Sequence, residues 1–205
     1  MYNKYPICSI DRLRMGTDGE GIRTLILVQG CPLQCIYCIN SFSWDGSVEP
    51  ECLSAKDLYS KIILDRPYML ATKGGITFGG GEPLLYPEMI SEMRSLCDKE
   101  ISIYVETSLN VPWKNVEDSC QAIDKYYVDI KSMNSETYHG YTEGDLSVVI
   151  ENLKKLLECK GSEAIVVRIP VIPDLVDKEE QKKSQELLRQ MGIVHFDLFT
   201  YEKTF

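Results

Sequence analysis

Apolar positions in this chain fall into two alternating kinds of segment. One kind is short and almost continuously apolar. "RTLILVQ" (23–29) comes first, and a run without polar alternation suits a strand buried on both faces. "GGITFGG" (74–80), "ISIYVET" (101–107), "KYYVDIK" (125–131), "EAIVVRIPVI" (163–172) and "VHFDLFTY" (194–201) read similarly. The other kind is longer and places apolar residues at helical spacing: 54–64, 86–99, 116–125, 146–159 and 178–191. Ser54 is a candidate N-cap for the first of these, ahead of Leu58, Ile62 and Ile63.

Strands alternating with helices predict parallel strands joined by right-handed crossovers, hence an α/β fold. Six such strands predict a partial (β/α)6 barrel and not a complete eight-stranded one. No linker, repeat or low-complexity tract interrupts the pattern, so residues 1–205 are expected to form one domain. In such folds ligands gather at the carboxyl ends of the strands. Unusual segments sit there: "GCPLQCIYCIN" (30–40) after the first strand, "GGGEP" after the second, "ETS" after the third and "DIK" at the fourth. One site drawing on all of them is expected, with "DGEGIR" (18–23) as a further contributor at the strand ends.

Charge narrows the partners. A net charge of −9, from 31 acidic and 22 basic residues, repels phosphate backbones and argues against nucleic-acid binding. No apolar run is long enough to span a bilayer, and "MYNKYPICSIDR" lacks the apolar centre of a secretory signal. A cytoplasmic protein with no membrane partner is the expectation. Its 8 cysteines then read as metal ligands or free thiols, not as a disulfide framework. Cys97, Cys120 and Cys159 lie in helical stretches, where free cysteine usually serves as a small buried hydrophobe.

Cys31, Cys35 and Cys38 are different, because they share one loop. Structural zinc normally takes four protein ligands, and a redox dithiol takes two. The spacing Cys-x3-Cys-x2-Cys leaves no fourth cysteine before Cys52 and no histidine before His139. Three thiolates suit a [4Fe–4S] cluster whose fourth iron stays open to a small molecule. "GGGEPLL" alone reads equally as a flexible turn. Glu82, following Gly80 and Gly81, also sets a carboxylate where bare backbone lets a ligand approach.

These motifs resemble the radical S-adenosylmethionine (SAM) superfamily, whose signature is CxxxCxφC with an aromatic residue at φ; Tyr37 fills that place. The resemblance implies that Cys31, Cys35 and Cys38 ligate the catalytic cluster. It implies that Tyr37 lies against the SAM adenine and that Gly80, Gly81 and Glu82 hold its amino group. It extends over nearly the whole chain. "GTDGEGIRTLILVQGCPLQCIYCIN", "SWD" (43–45), "YVETSLN", "YVDIKSMN" and "VVRIPVIPD" resemble, in order, segments of the glycyl-radical-enzyme activating enzymes of the pyruvate formate-lyase type. By that likeness Glu106 and Thr107 face the ligand, and Asp129, Ile130 and Lys131 lie near the SAM carboxylate. Arg168 becomes a cationic partner for that carboxylate or for a peptide substrate. Alone, Asp129 and Lys131 would read as a surface ion pair, whereas an arginine amid an apolar strand needs a partner wherever it is buried.

The chain departs from that family in places. Ile39 stands where histidine is frequent, and Glu106 replaces an aspartate. "TYE" (200–202) replaces "PYH", which leaves Tyr201 and Glu202 as weaker candidates for SAM contact. Family members usually continue beyond the equivalent of Phe205, so the open side is expected to accept a different substrate. No further CxxC pair occurs between 40 and 73, so one cluster is expected.

The resemblance implies an anaerobic chemistry. A reduced [4Fe–4S] cluster, fed by a flavodoxin- or ferredoxin-type donor, cleaves SAM to methionine and a 5′-deoxyadenosyl radical. That radical takes hydrogen from a glycine of a partner glycyl radical enzyme. A small-molecule or peptide-modifying radical SAM enzyme is the alternative; 7-carboxy-7-deazaguanine synthases share "GEG" (19–21). A non-catalytic iron–sulfur electron carrier is a further alternative, but it would use four cysteines and have no need of "GGGEP".

Overall fold

The structure is a computed structural model that describes residues 3–201. It opens with β1 (Tyr5–Met15), which pairs antiparallel with β2 (Ile22–Val28). The short β3 (Glu51–Leu53) adds antiparallel to the outer side of β1. From β2 the sheet continues in parallel through β4 (Gly75–Gly80), β5 (Ser102–Thr107), β6 (Lys125–Asp129), β7 (Ile165–Val171) and β8 (His195–Thr200). The strand order is β3-β1-β2-β4-β5-β6-β7-β8, with β3 and β8 at its two edges. The six expected parallel strands are therefore present, and the barrel is open.

Among the described residues seven α-helices flank them: α1 (Ala55–Ile62), α2 (Arg66–Thr72), α3 (Pro87–Leu96), α4 (Trp113–Ser119), α5 (Ser135–Thr142), α6 (Leu146–Lys160) and α7 (Lys178–Gln190). Ser54 caps α1 as expected, its Oγ accepting the Asp57 backbone N–H at 3.2 Å. The helix predicted over 116–125 begins earlier, at Trp113 after Pro112. It ends at Ser119, because β6 already starts at Lys125.

Alternate strand residues face opposite ways. Ile26, Val28, Ile76, Phe78, Ile103, Val105, Tyr126, Val128, Val167 and Ile169 form one buried core with the helices. The alternate residues, among them Leu25, Thr77, Tyr104, Glu106, Asp129 and Arg168, line the barrel interior.

Two expectations are corrected here. "DGEGIR" does not join the other motifs, because it leads into the start of β2 and lies at the opposite mouth of the barrel. Arg23 is fully buried there, with its guanidinium carbon 3.6 Å above the Tyr104 ring. It donates to Thr77 Oγ1 at 2.7 Å, the Ile76 carbonyl at 2.6 Å and Ser102 Oγ at 2.9 Å. Burial pulls its pKa down to about 10. Gly19, at φ +127°, admits no side chain, since a Cβ would stand 2.6 Å from that same ring. The motif thus plugs the floor of the barrel. Among the three helix-region cysteines only Cys120 is buried; Cys97 is half-buried and Cys159 is exposed, because α6 turns it to the outer face.

Candidate active site

The cysteine loop leaves the carboxyl end of β2 and is closed at its base. Gly30 N–H donates to the Ser43 carbonyl at 2.7 Å. The loop then docks on the end of α5, where a helix leaves carbonyls without internal partners. Gln34 N–H takes the Thr142 carbonyl at 2.9 Å and Ile36 N–H the Tyr141 carbonyl at 3.1 Å. A tight turn follows, with Cys38 N–H on the Cys35 carbonyl at 3.2 Å. Cys31, Cys35 and Cys38 are all free and half-buried. Burial, reinforced by Glu82, pushes the Cys31 thiol up to about 12, and burial pushes Cys35 up to about 11. Such thiols ionise when a metal centre supplies the positive charge.

The glycine run is fastened to this loop backbone to backbone. Gly81 N–H donates to the Val28 carbonyl at 3.0 Å, and Glu82 N–H to the Gly30 carbonyl at 2.8 Å. A Cβ on Gly81 would lie 2.0 Å from the Gly30 oxygen, so glycine is required by that close approach. Glu82 is 1% exposed and its carboxylate is saturated. Oε1 accepts Thr107 Oγ–H at 2.7 Å and Leu84 N–H at 3.1 Å. Oε2 accepts Ser108 N–H at 2.9 Å and Ser108 Oγ–H at 2.7 Å. Burial raises the Glu82 pKa against these donors. Glu82 therefore ties the end of β4 to the end of β5 and, through its backbone, to the cysteine loop.

Deeper in the barrel stands a charge-balanced network. Arg168 grips Asp129 with two parallel bonds, Nε to Oδ1 at 3.0 Å and Nη2 to Oδ2 at 3.1 Å. Its Nη1 reaches Glu106 Oε1 at 2.9 Å. Lys131 Nζ lies 3.6 Å from Asp129 Oδ1 and 3.4 Å from the Tyr201 hydroxyl. Burial works against the charge on Asp129, but Arg168 and Lys131 prevail and hold its pKa below the usual range. Burial raises Glu106, with Arg168 opposing. Asp129 and Lys131 are thus no surface pair.

Arg168→Met is expected to cost about 3–5 kcal/mol at neutral pH, since it leaves the Glu106 carboxylate without its cation and Asp129 with Lys131 alone. The pH dependence should change too, because Asp129 and Glu106 pull the native network in opposite directions. In the native protein Asp129 adds stability that is present above its unfolded pKa and lost as pH falls through its folded pKa. In the variant Glu106 loses the guanidinium that opposes its burial and holds a proton that the unfolded chain releases, so its contribution to stability should grow as pH falls from about 7 toward 5. Urea unfolding at the two pH values checks it.

The sequence-predicted residues are mostly brought together at one barrel mouth: Cys31, Cys35, Cys38, Gly80, Gly81, Glu82, Glu106, Thr107, Asp129, Lys131 and Arg168. Tyr37 stands half-exposed beside the Tyr141 ring, 6.3 Å between centroids. Ile130 does not face the site; it belongs to the core beneath the helices. Glu202 lies outside the described residues. Ser108 falls within the expected "ETS" segment without having been singled out, and Tyr138 and Tyr141 were not expected. Ser108 directly follows "ET", while the tyrosines sit in α5, whose "SETYHGYT" carries a glycine and no clear apolar stripe.

Those tyrosines test the fit of a bound group. Both hydroxyls are buried and lack a hydrogen-bond partner. Tyr141 forms a small buried cluster with Ile172 and Val176, against which Cys35 packs. Buried hydroxyls without partners are uncommon, and three thiols beside them are a donor set for iron. Cys31, Cys35 and Cys38, carried by one loop, fit the three-thiolate donor set of a [4Fe–4S] cluster, whereas a structural zinc normally takes four protein ligands.

Residues 25–182 match the family described as the Radical SAM superfamily, and the chain belongs to it. Membership makes it a radical SAM enzyme, and the family implies SAM and a [4Fe–4S] cluster. Its relatives include the pyruvate formate-lyase-activating enzyme of Clostridium pasteurianum, 33% identical over 80% of this chain and 67% of that protein. The (2S)-3-sulfopropanediol dehydratase activating enzyme of Klebsiella oxytoca is 28% identical over 78% of this chain and 69% of its own length. Among solved structures, Streptococcus suis SuiB bound to S-adenosylmethionine superposes with a TM-score of 0.64 at 17% identity. That match covers 85% of this chain but 39% of SuiB, and the likeness is one of fold. Among the described residues no helix is long and apolar enough to cross a membrane.

Proposed function

We propose that this protein activates a glycyl radical enzyme: it generates a radical from SAM and uses it to remove hydrogen from a glycine of a partner protein. The observation that carries the proposal is the single loop bearing Cys31, Cys35 and Cys38, fastened backbone to backbone onto Gly81 and Glu82. When bound, the cluster and SAM supply one-electron cleavage of the sulfonium and the hydrogen-abstracting radical. The chain's residues bind and orient. Cys31, Cys35 and Cys38 hold the cluster and leave one iron for SAM. Glu82 fixes the floor of the mouth through Thr107 and Ser108. Lys131 and Arg168 set cationic groups, and Asp129 and Glu106 anionic ones, where a zwitterionic amino acid would be met by both signs.

A protein substrate is supported by the rim. Ile39 is 80% exposed and Ile36 is exposed beside it, an apolar edge suited to a protein loop. Relatives named as activating enzymes for different dehydratases and lyases support the same reading while leaving the partner's identity open. The electron comes, in this proposal, from a flavodoxin- or ferredoxin-type donor.

The test is electron paramagnetic resonance on the reduced, reconstituted protein mixed anaerobically with SAM and a co-encoded glycyl radical enzyme. A glycyl doublet on that enzyme is expected. SAM turnover without a doublet from any candidate partner would transfer the site to a small-molecule or peptide substrate.

A further inference from the structure

Of the "SWD" segment (43–45) only the Ser43 carbonyl enters the site as described so far. The segment starts on the last residue of a 3-10 turn (Ser41–Ser43) directly after the cysteine loop. Ser43 donates to the Asn40 carbonyl from both N–H and Oγ–H, at 2.9 and 2.7 Å. Trp44 N–H and Asp45 N–H both reach the Ser41 carbonyl at 2.9 Å. The Asp45 carboxylate accepts Ser47 N–H at 2.8 Å and fixes the exit of the turn. Since Gly30 N–H already holds the Ser43 carbonyl, the turn is anchored to both ends of the cysteine loop. The outcome is one directed contact. The indole N–H of the half-buried Trp44 points at Cys38 Sγ, with 3.5 Å between nitrogen and sulfur.

Indole has a single polar group, a donor with no acceptor capacity. At a half-exposed position water would satisfy it without any of this bracing. Spent on Cys38, it meets a sulfur that becomes a thiolate once iron is bound. Reduction of a cluster places further negative charge on its sulfurs, so a donor aimed at one of them stabilises the reduced form more than the oxidised one. Being held in place by the turn, it needs no rearrangement when the electron arrives.

We propose that Trp44 is a positioning residue for Cys38 whose indole N–H raises the reduction potential of the cluster. This rests on the reading of Cys31, Cys35 and Cys38 as cluster ligands, and goes beyond it by assigning the electron-accepting power of that cluster to a residue outside the ligand set. Trp44 touches no substrate in this role. It makes the cluster easier to reduce, and hence widens the range of donors able to feed it.

The test compares, with Trp113→Phe as a control, three proteins reconstituted anaerobically with iron and sulfide: wild type, Trp44→Phe, and a chain carrying 3-benzothienylalanine in place of Trp44. The last keeps the size of the bicyclic ring and replaces the N–H by sulfur. Each is titrated with dithionite and mediators while the reduced cluster is followed by electron paramagnetic resonance. Iron and sulfide contents are measured first. Both altered proteins are expected to show about a tenfold lower reduced-to-oxidised ratio at a given potential, equivalent to a midpoint about 59 mV lower. The benzothienyl protein is expected to keep full iron content and unaltered unfolding of the metal-free chain. Trp113→Phe, at the start of α4, should leave the midpoint unchanged.

An unchanged midpoint in the benzothienyl protein overturns the proposal, even if Trp44→Phe shifts it, because ring packing and not the N–H would then set the potential. Should Trp44→Phe hold no cluster, the benzothienyl protein alone decides. A wild type that takes up no iron and sulfide overturns the ligand reading itself, and that failure is seen before any potential is measured.

Discussion

Replacing any one of Cys31, Cys35 or Cys38 with alanine should abolish the [4Fe–4S] cluster, with loss of its visible absorption and of all SAM cleavage. The three thiols sit on one loop tied at its base by Gly30 and Ser43 and along its length by α5, so no neighbouring cysteine can take a vacated place. Cys97 begins the segment after α3, and Cys159 lies on the outer face of α6. Cys97→Ala and Cys159→Ala should therefore retain full iron and sulfide content after anaerobic reconstitution. A cluster lost in either would show that the ligand set is wrong.

The second large effect belongs to Glu82. Removing its carboxylate leaves Leu84 N–H and Ser108 N–H buried without acceptors, while the Thr107 and Ser108 hydroxyls can rotate to other partners. A buried unsatisfied donor costs about 1–3 kcal/mol, so Glu82→Ala should destabilise the fold by about 2–6 kcal/mol. SAM affinity should fall roughly ten- to a hundredfold as the ends of β4 and β5 part, with the three cluster ligands untouched. Glu82→Gln should do less on both counts, because it keeps one acceptor oxygen and the side-chain shape. Urea unfolding of the metal-free chain and SAM binding to the reconstituted protein separate the two effects. Wild-type stability in Glu82→Ala would mean that the carboxylate is not the clamp described here.

The parts of the fold that were legible in the sequence are those whose burial leaves a one-dimensional trace. The parallel strands β2 and β4 to β7 are covered on one side by helices and line the barrel on the other, so they show as near-continuous apolar runs, whereas β8, at the sheet edge, is mostly exposed. β1 left no such trace, because its pairing with β2 slips twice and Leu13 adopts φ +56°. β3 is three residues long. The cysteines and the glycine run were legible because their chemistry depends on spacing within one short loop. What was hidden depends on contacts between distant segments. The saturation of Glu82 by Ser108 and the Arg23 plug over Tyr104 both join residues far apart in the chain. "DGEGIR" was placed at the wrong end because a motif between two antiparallel strands has no sign of direction in its own letters.

The most direct measurement is SAM cleavage. The reconstituted protein, reduced with dithionite under nitrogen, is incubated with SAM and the products are separated by liquid chromatography. Equal amounts of 5′-deoxyadenosine and methionine are expected, with none from Cys35→Ala treated identically. A protein that carries a full, reducible cluster and binds SAM yet releases neither product would contradict the assignment of this site to radical chemistry.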